Sequence, residues 1–268
     1  MEDPLLGYLI RDEPFYQAVG SELTGFEAAV TAHLPVLLSG PTGCGKTRLV
    51  EHMAWKLKRP LVTIACHEDL SAGDLAGRWL LDAKGTQWQD GPLTKAVRYG
   101  GICYLDELVE ARTDALVLLH PLADTRRILP LERHGEIVTA HPDFLLVVSY
   151  NPSYQSRGKA LKPSMRQRFT SLSLDYPNEE NEIQIVHREA QIALNLAKQM
   201  VAFAKRTRCL QEHGLEEGAS TRLIIHAGHL VCAGLKIKDA LKQAVVAPLT
   251  DDPLLSQVLL SLLDVCFV

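Results

Sequence analysis

Gly40-Pro41-Thr42-Gly43-Cys44-Gly45-Lys46-Thr47 sets glycines, a lysine and a hydroxyl at the spacing G-x-x-x-x-G-K-[ST], the pattern of a loop that cradles phosphate. Glycine lets the backbone turn with its N–H groups pointing inward, and a helix starting at the loop's end adds a positive dipole end. Lys46 then reaches the β- and γ-phosphates of a nucleotide, and the Thr47 hydroxyl holds Mg²⁺. The stretch predicts binding of a nucleoside triphosphate.

Four further groups have side chains suited to work on that ligand. Ile102-Cys103-Tyr104-Leu105-Asp106-Glu107 is an apolar run ending in two acids, and ligands of open α/β sheets sit outside the carboxyl ends of the strands. Asp106 would hold Mg²⁺, directly or through water, while Glu107 is placed to polarise the attacking water as base or positioner. Asn151 follows another apolar run and could fix that water and touch the γ-phosphate, although Asn151-Pro152 also makes a turn. In Lys162-Pro163-Ser164-Met165-Arg166-Gln167-Arg168-Phe169, one arginine is a candidate finger for the γ-phosphate held by a neighbouring subunit. Arg168 is favoured, with Arg166 sharing the role. Arg222 stands two residues after Ser220, a plausible N-cap, so it falls in the first turn of a helix. From there it would couple the position of a lid to the phosphate state.

Stepping these residues into place requires alternating elements. Apolar runs at residues 35–39, 61–66, 101–105, 144–149 and 169–176 read as buried strands. Helical patterns fall between them at 21–33, 47–57, 91–98 and 113–122. That alternation predicts an α/β fold with a five-stranded parallel sheet and helices on both faces. Residues 67–90 are polar and glycine-bearing, and 126–142 suggests a hairpin around His134-Gly135. After Asp175-Tyr176-Pro177 the spacing turns helical, with Ile183, Val186, Ala190, Ala193, Ala197, Val201 and Ala204 on one face. Further helical stretches follow at 220–234, 238–247 and 252–265. The expected division is an α/β nucleotide-binding domain over 1–177 and a helical lid over 178–268.

Composition bounds the rest. A chain of 268 residues with 47% hydrophobic and 22% charged side chains is ordinary for a globular protein. A formal charge of −4 and no basic helix argue against nucleic acid as partner. No apolar window is long enough for a membrane span, and Met1-Glu2-Asp3-Pro4 opens no signal peptide. Six cysteines without C-x-x-C spacing indicate reduced thiols rather than zinc or disulfides. A cytoplasmic setting is expected.

Phosphate loop, strand-Asp-Glu, strand-Asn, paired arginines and a helical lid with Ser-x-Arg, in this order, resemble the AAA+ ATPases. Within them the chain is similar to the MoxR group and, more closely, the CbbQ/NorQ/NirQ family. The likeness is carried by Gly40 to Arg48, Glu51-His52-Met53-Ala54-Trp55, Ala65-Cys66-His67-Glu68-Asp69-Leu70, Trp88-Gln89-Asp90-Gly91-Pro92-Leu93 and Ser149-Tyr150-Asn151-Pro152. It extends the nucleotide loop to Arg48. The resemblance implies ATP bound between subunits of a homo-hexamer, a von Willebrand factor A-domain adaptor, and a remodelled target enzyme. That target is Rubisco, freed of inhibitory sugar phosphates, or else nitric oxide reductase; overall likeness favours Rubisco. It also implies insertions at 75–90 and 126–142, with Trp79, Leu80 and Trp88 as contact residues for pore or partner unless they are packed inside.

Two other classes compete. A P-loop kinase for a small molecule needs neither a neighbour's arginine nor a water-activating acid beside the Mg²⁺ ligand, and Glu107 with the arginine pair counts against it. A DNA-loading or transcription factor should bring a basic patch or a helix-turn-helix, which the sequence lacks.

Overall fold

Five short runs, buried in the middle of the sheet and partly exposed at its edges, pair side by side in the computed structural model, which describes residues 4–82, 85–152 and 161–267. In chain order the strands are β1 (Val36–Ser39), β2 (Leu61–Ala65), β3 (Gly77–Asp82), β4 (Gly85–Asp90), β5 (Ile102–Asp106), β6 (Ile128–Leu131), β7 (Glu136–Thr139), β8 (Leu145–Tyr150) and β9 (Thr170–Ser173). The main sheet runs β2-β5-β8-β1-β9, with every neighbouring pair parallel. β1 and β8 are buried at each position, as expected of strands covered on both faces.

Helices α1 (Glu22–Thr31), α2 (Lys46–Leu57), α3 (Ala72–Ala76), α4 (Pro92–Tyr99), α5 (Thr113–Leu119) and α6 (Pro163–Arg166) accompany this sheet. Leu93, Ala96 and Val97 of α4 and Ala115 and Leu119 of α5 share a core with Val62, Cys103, Leu105, Leu146 and Val148 of the strands. The N-terminal lead-in rests on α2, where His52 Nδ1 lies 3.1 Å from the Pro14 carbonyl and the Tyr16 ring is 5.9 Å from the His52 ring.

The order β2-β5-β8 puts the C-terminal ends of the strands bearing Asp106 and Asn151 side by side. Parallel pairing of β8 with β1 then sets the start of the phosphate loop beside them. This topology positions the site.

Residues 67–90, read from sequence as a polar connection, contain more structure than that. A capping box between Ser71 and Asp74 starts α3, and β3 and β4 form an antiparallel ribbon. Trp79 faces Trp88 across that ribbon, with ring centroids 5.6 Å apart. Such aromatic cross-strand pairs stabilise a two-stranded ribbon despite its polar flanks. The second hairpin, β6–β7, falls within 126–142 as expected. Arg98 of α4 ties the two ribbons, bonding Asp90 at 2.9 Å and Glu136 at 2.7 Å.

The chain divides into two compact units, one of residues 1–41 and 45–174, the other of 42–44 and 175–268. The second is helical: α7 (Glu179–Ala190), α8 (Leu194–Cys209), α9 (Thr221–Cys232), α10 (Ile237–Leu241), a π-helical turn (Lys242–Val246), α11 (Ala247–Leu249) and α12 (Pro253–Cys266). The face read as continuous from Ile183 to Ala204 belongs to two helices. Gln191 takes a left-handed φ of 54° and ends α7, so Ala193 is exposed and Ile192 is buried in its stead.

A polar network lies inside this unit. Arg208 grips the buried Glu182 with two bonds of 2.9 and 2.6 Å, and Thr221 donates to the same carboxylate at 2.7 Å. The Arg208 guanidinium also lies 3.9 Å over the Tyr176 ring.

Among the described residues no helix is long and apolar enough to cross a membrane. Cys44, Cys66 and Cys103 are buried, whereas Cys209 and Cys232 are exposed.

Candidate functional site

β1 ends at Ser39 and α2 begins at Lys46, so the phosphate loop is the whole connection between a buried strand and a helix. Gly45 caps the helix at φ 103°, and Gly43 turns at φ 70°. Both are left-handed conformations that glycine adopts without strain. The Lys46 side chain folds back over the loop and donates to the carbonyls of Gly40 at 2.8 Å and Pro41 at 3.0 Å. It is only 7% exposed. A buried ammonium with three donors, two of them so used, retains one for an anion.

The acids stand beside it. Strand alternation puts Tyr104 and Asp106 on one face of β5, and the Tyr104 hydroxyl donates to Asp106 Oδ1 at 2.7 Å. Ser149 of β8 donates to the same oxygen at 2.5 Å and accepts the Glu107 N–H at 3.0 Å. Thr47 Oγ1 lies 3.3 Å from the Tyr104 hydroxyl.

Glu107 itself sits at φ 53°, a left-handed backbone that glutamate rarely takes. Its Oε2 is buried with no hydrogen-bond partner. Burial pushes the Glu107 carboxyl above its ordinary range; the Lys46 charge pulls it back, Asp106 pushes it further up, and the Asn151 N–H again lowers it. Asn151 is buried at the end of β8. The fold thus gathers Lys46, Thr47, Asp106, Glu107 and Asn151 in one place. An orphaned carboxylate oxygen, a spare ammonium donor and a helix N-terminus fit a triphosphate with a divalent cation, Thr47 and Asp106 being the oxygen donors.

The remaining candidates have other surroundings. Arg48 is exposed and pairs with Glu51 at 3.4 Å. Arg166 is exposed, its guanidinium 5.9 Å from the centroid of the Tyr150 ring. Arg168 is half-buried and donates to the Ser164 carbonyl; after burial, its charge is the next cause holding the His120 ring below its ordinary value. Among the described residues neither of these two arginines touches Lys46, Asp106 or Glu107 within one copy of the chain. Arg222 is exposed in the first turn of α9, whose N-cap Ser220 accepts the Leu223 N–H at 3.4 Å.

Thr42, Gly43 and Cys44 pack within the second unit. Thr42 Oγ1 donates to Glu217 at 3.2 Å, the Tyr176 hydroxyl donates to the Thr42 carbonyl at 3.1 Å, and a Cβ on Gly43 would come within 2.6 Å of Ser220.

Sequence reading passed over Tyr104 and Ser149. Both lie two residues before a residue it did select, on the same face of the same strand, and that period of two was the available signal. Trp79 remains 48% exposed and donates to the Arg133 carbonyl at 2.9 Å, and Leu80 is 38% exposed. Trp88, by contrast, is packed, stacked on His134 at 4.8 Å.

A family model described as an AAA domain of the dynein-related subfamily matches residues 35–169. A second, described as CbbQ/NirQ/NorQ C-terminal, matches residues 182–266. Protein CbbQ of Hydrogenophilus thermoluteolus is 56% identical, covering 92% of this chain and 92% of its own. Denitrification regulatory protein NirQ of Stutzerimonas stutzeri is 54% identical over 96% of this chain and 92% of its own. Protein NorQ of Paracoccus denitrificans is 54% identical over 90% and 89%. Among solved structures, a RuvB variant of Thermotoga maritima shares the fold at TM-score 0.54 and 20% identity, covering 92% of this chain and 68% of its own.

Proposed function

This chain belongs to the CbbQ/NirQ/NorQ family of AAA-domain proteins, and from that premise we propose that it is an ATP-hydrolysing remodelling motor. It assembles as a hexameric ring, works with a von Willebrand factor A-domain adaptor, and activates Rubisco by releasing inhibitory sugar phosphates. One observation carries the hydrolytic part: the half-buried carboxylate of Glu107, with one buried and unpartnered oxygen, lies within electrostatic reach of the phosphate-loop lysine. A P-loop kinase normally needs no water-activating acid beside its Mg²⁺ ligand, so Glu107 counts against that reading.

In this reading the N–H groups of residues 40–48 and the Lys46 ammonium grip the triphosphate. Thr47 and Asp106 would hold Mg²⁺, which would supply positive charge to the phosphates. Asn151 orients a water and Glu107 accepts its proton; a carboxylate with a raised pKa is the stronger base once ionised. Arg166 or Arg168 is offered to the γ-phosphate of the adjacent subunit, which agrees with their place away from Lys46 in a single copy. Arg222 links the helical unit to the phosphate state.

The NirQ relative, named a denitrification regulatory protein and 54% identical, favours a second reading in which the same motor matures nitric oxide reductase. Reconstitution separates the two. Chain, adaptor and ATP together should restore inhibited Rubisco, and omission of any one should leave it inhibited. If Rubisco stays inhibited while nitric oxide reductase gains activity in the same mixture, the second reading replaces the first.

A further inference from the structure

The hydrogen bonds around Asp106 run one way, and that direction selects which atoms face the nucleotide. An ionised carboxylate can only accept, so the Tyr104 phenol must donate to it. With its proton committed, the Tyr104 oxygen is left to accept from Thr47, 3.3 Å away. Ser149 likewise spends its proton on Asp106 and its lone pair on the Glu107 N–H. Both side chains are fully buried in β5 and β8, so strands rather than loops hold them. Two donors thus converge on Oδ1, and among the described residues none donates to Oδ2.

We infer that Tyr104 and Ser149 are positioning residues for the divalent cation: they lock Asp106 with Oδ2 outward and turn the Thr47 lone pairs toward the same point. Neither touches the nucleotide. Tyr104 joins the two oxygen donors to each other, and Ser149 joins the metal carboxylate to the backbone of the base, Glu107. This inference rests on the assignment of the site to ATP and Mg²⁺.

The test uses the full chain with Tyr104→Phe, which keeps the ring in the core, and Ser149→Ala as a second, smaller change. The affinity for a fluorescent ATP analogue is measured in EDTA and across a Mg²⁺ titration, and free Mn²⁺ is followed by electron paramagnetic resonance. Tyr104→Phe should raise the half-saturating metal concentration about tenfold while leaving metal-free nucleotide affinity within about twofold, in line with loss of a hydrogen bond to a charged group. Ser149→Ala should move the same quantity by about threefold. Should Tyr104→Phe fail to fold, an unchanged metal titration in Ser149→Ala would overturn the inference. It would equally be overturned if Tyr104→Phe lowered only the thermal midpoint, or weakened metal-free and metal-bound nucleotide alike. If the unaltered chain bound no nucleotide under either condition, the assignment to ATP would itself fail, and that outcome is distinct from the others.

Discussion

Lys46 is a buried charge and Glu107 a half-buried one of opposite sign whose Oε2 is buried, and their difference in partners defines different tasks. Lys46 has its loop carbonyls at 2.8 and 3.0 Å, an arrangement a phosphate can extend, whereas Glu107 Oε2 has nothing. Lys46→Ala should therefore abolish nucleotide binding, measured with a fluorescent analogue. Glu107→Gln should keep binding and lose turnover by a factor of about 10² or more, within the range for loss of a general base. Turnover near the unaltered rate in Glu107→Gln would remove the base assignment. A pH profile offers an independent check. The base works only when ionised, and burial raises its pKa above the ordinary 4.5. Turnover should thus fall on acidification at a pH above 4.5, with binding surviving to lower pH. The nearby Cys66 thiol, pushed up to about 12 by burial and then by the Asp106 and Glu107 charges, stays protonated and unreactive across that range.

At the scale of elements, a buried charge pair and its hydroxyl partner link three helices of the helical unit. Glu182 on α7 is 1% exposed, and its neutralising partner Arg208 comes from α8 while Thr221 comes from α9. Arg208→Ala leaves that carboxylate buried and unpaired and should cost about 3–5 kcal/mol. Arg208→Lys should recover only part of this, because an ammonium cannot make the two-pronged contact. Denaturant unfolding of both variants checks the difference. In the α/β unit, strand alternation does comparable work: it aims Tyr104 and Asp106 to one side of β5 and Ser149 and Asn151 to one side of β8. Two ribbons stand apart from the main sheet, and the Trp88–His134 stack joins them. A Trp88→Ala change should loosen both ribbons and leave nucleotide binding in place, which limited proteolysis would show.

For the whole molecule, the separation of Arg166 and Arg168 from Lys46 within one copy makes assembly testable through kinetics. If a neighbour supplies the guanidinium, specific ATPase activity must rise with protein concentration. Activity strictly proportional to concentration down to high dilution would defeat that idea. Arg166→Ala and Arg168→Ala, each mixed with unaltered chain, should poison activity more than in proportion to their share. Whichever does so more strongly is the finger.

Much of this was legible in order along the chain. The spacing of Gly40, Gly45, Lys46 and Thr47 determines a phosphate loop because backbone geometry and lysine reach leave little else for it to be. Likewise short apolar runs separated by helical patterns determine a parallel α/β sheet, since its inner strands β1 and β8 are buried on both faces while the edge strands β2 and β9 are partly exposed. The sequence concealed features that leave no periodic pattern or that depend on strand order. The Trp79–Trp88 ribbon hid behind polar flanks, and the break at Gln191 hid inside an unbroken helical pattern, because a left-handed residue carries no periodic mark. Only tertiary structure decided that Tyr104 and Ser149 both donate to Asp106, since strand order, which is long-range, sets which side chains meet at the ends of β5 and β8.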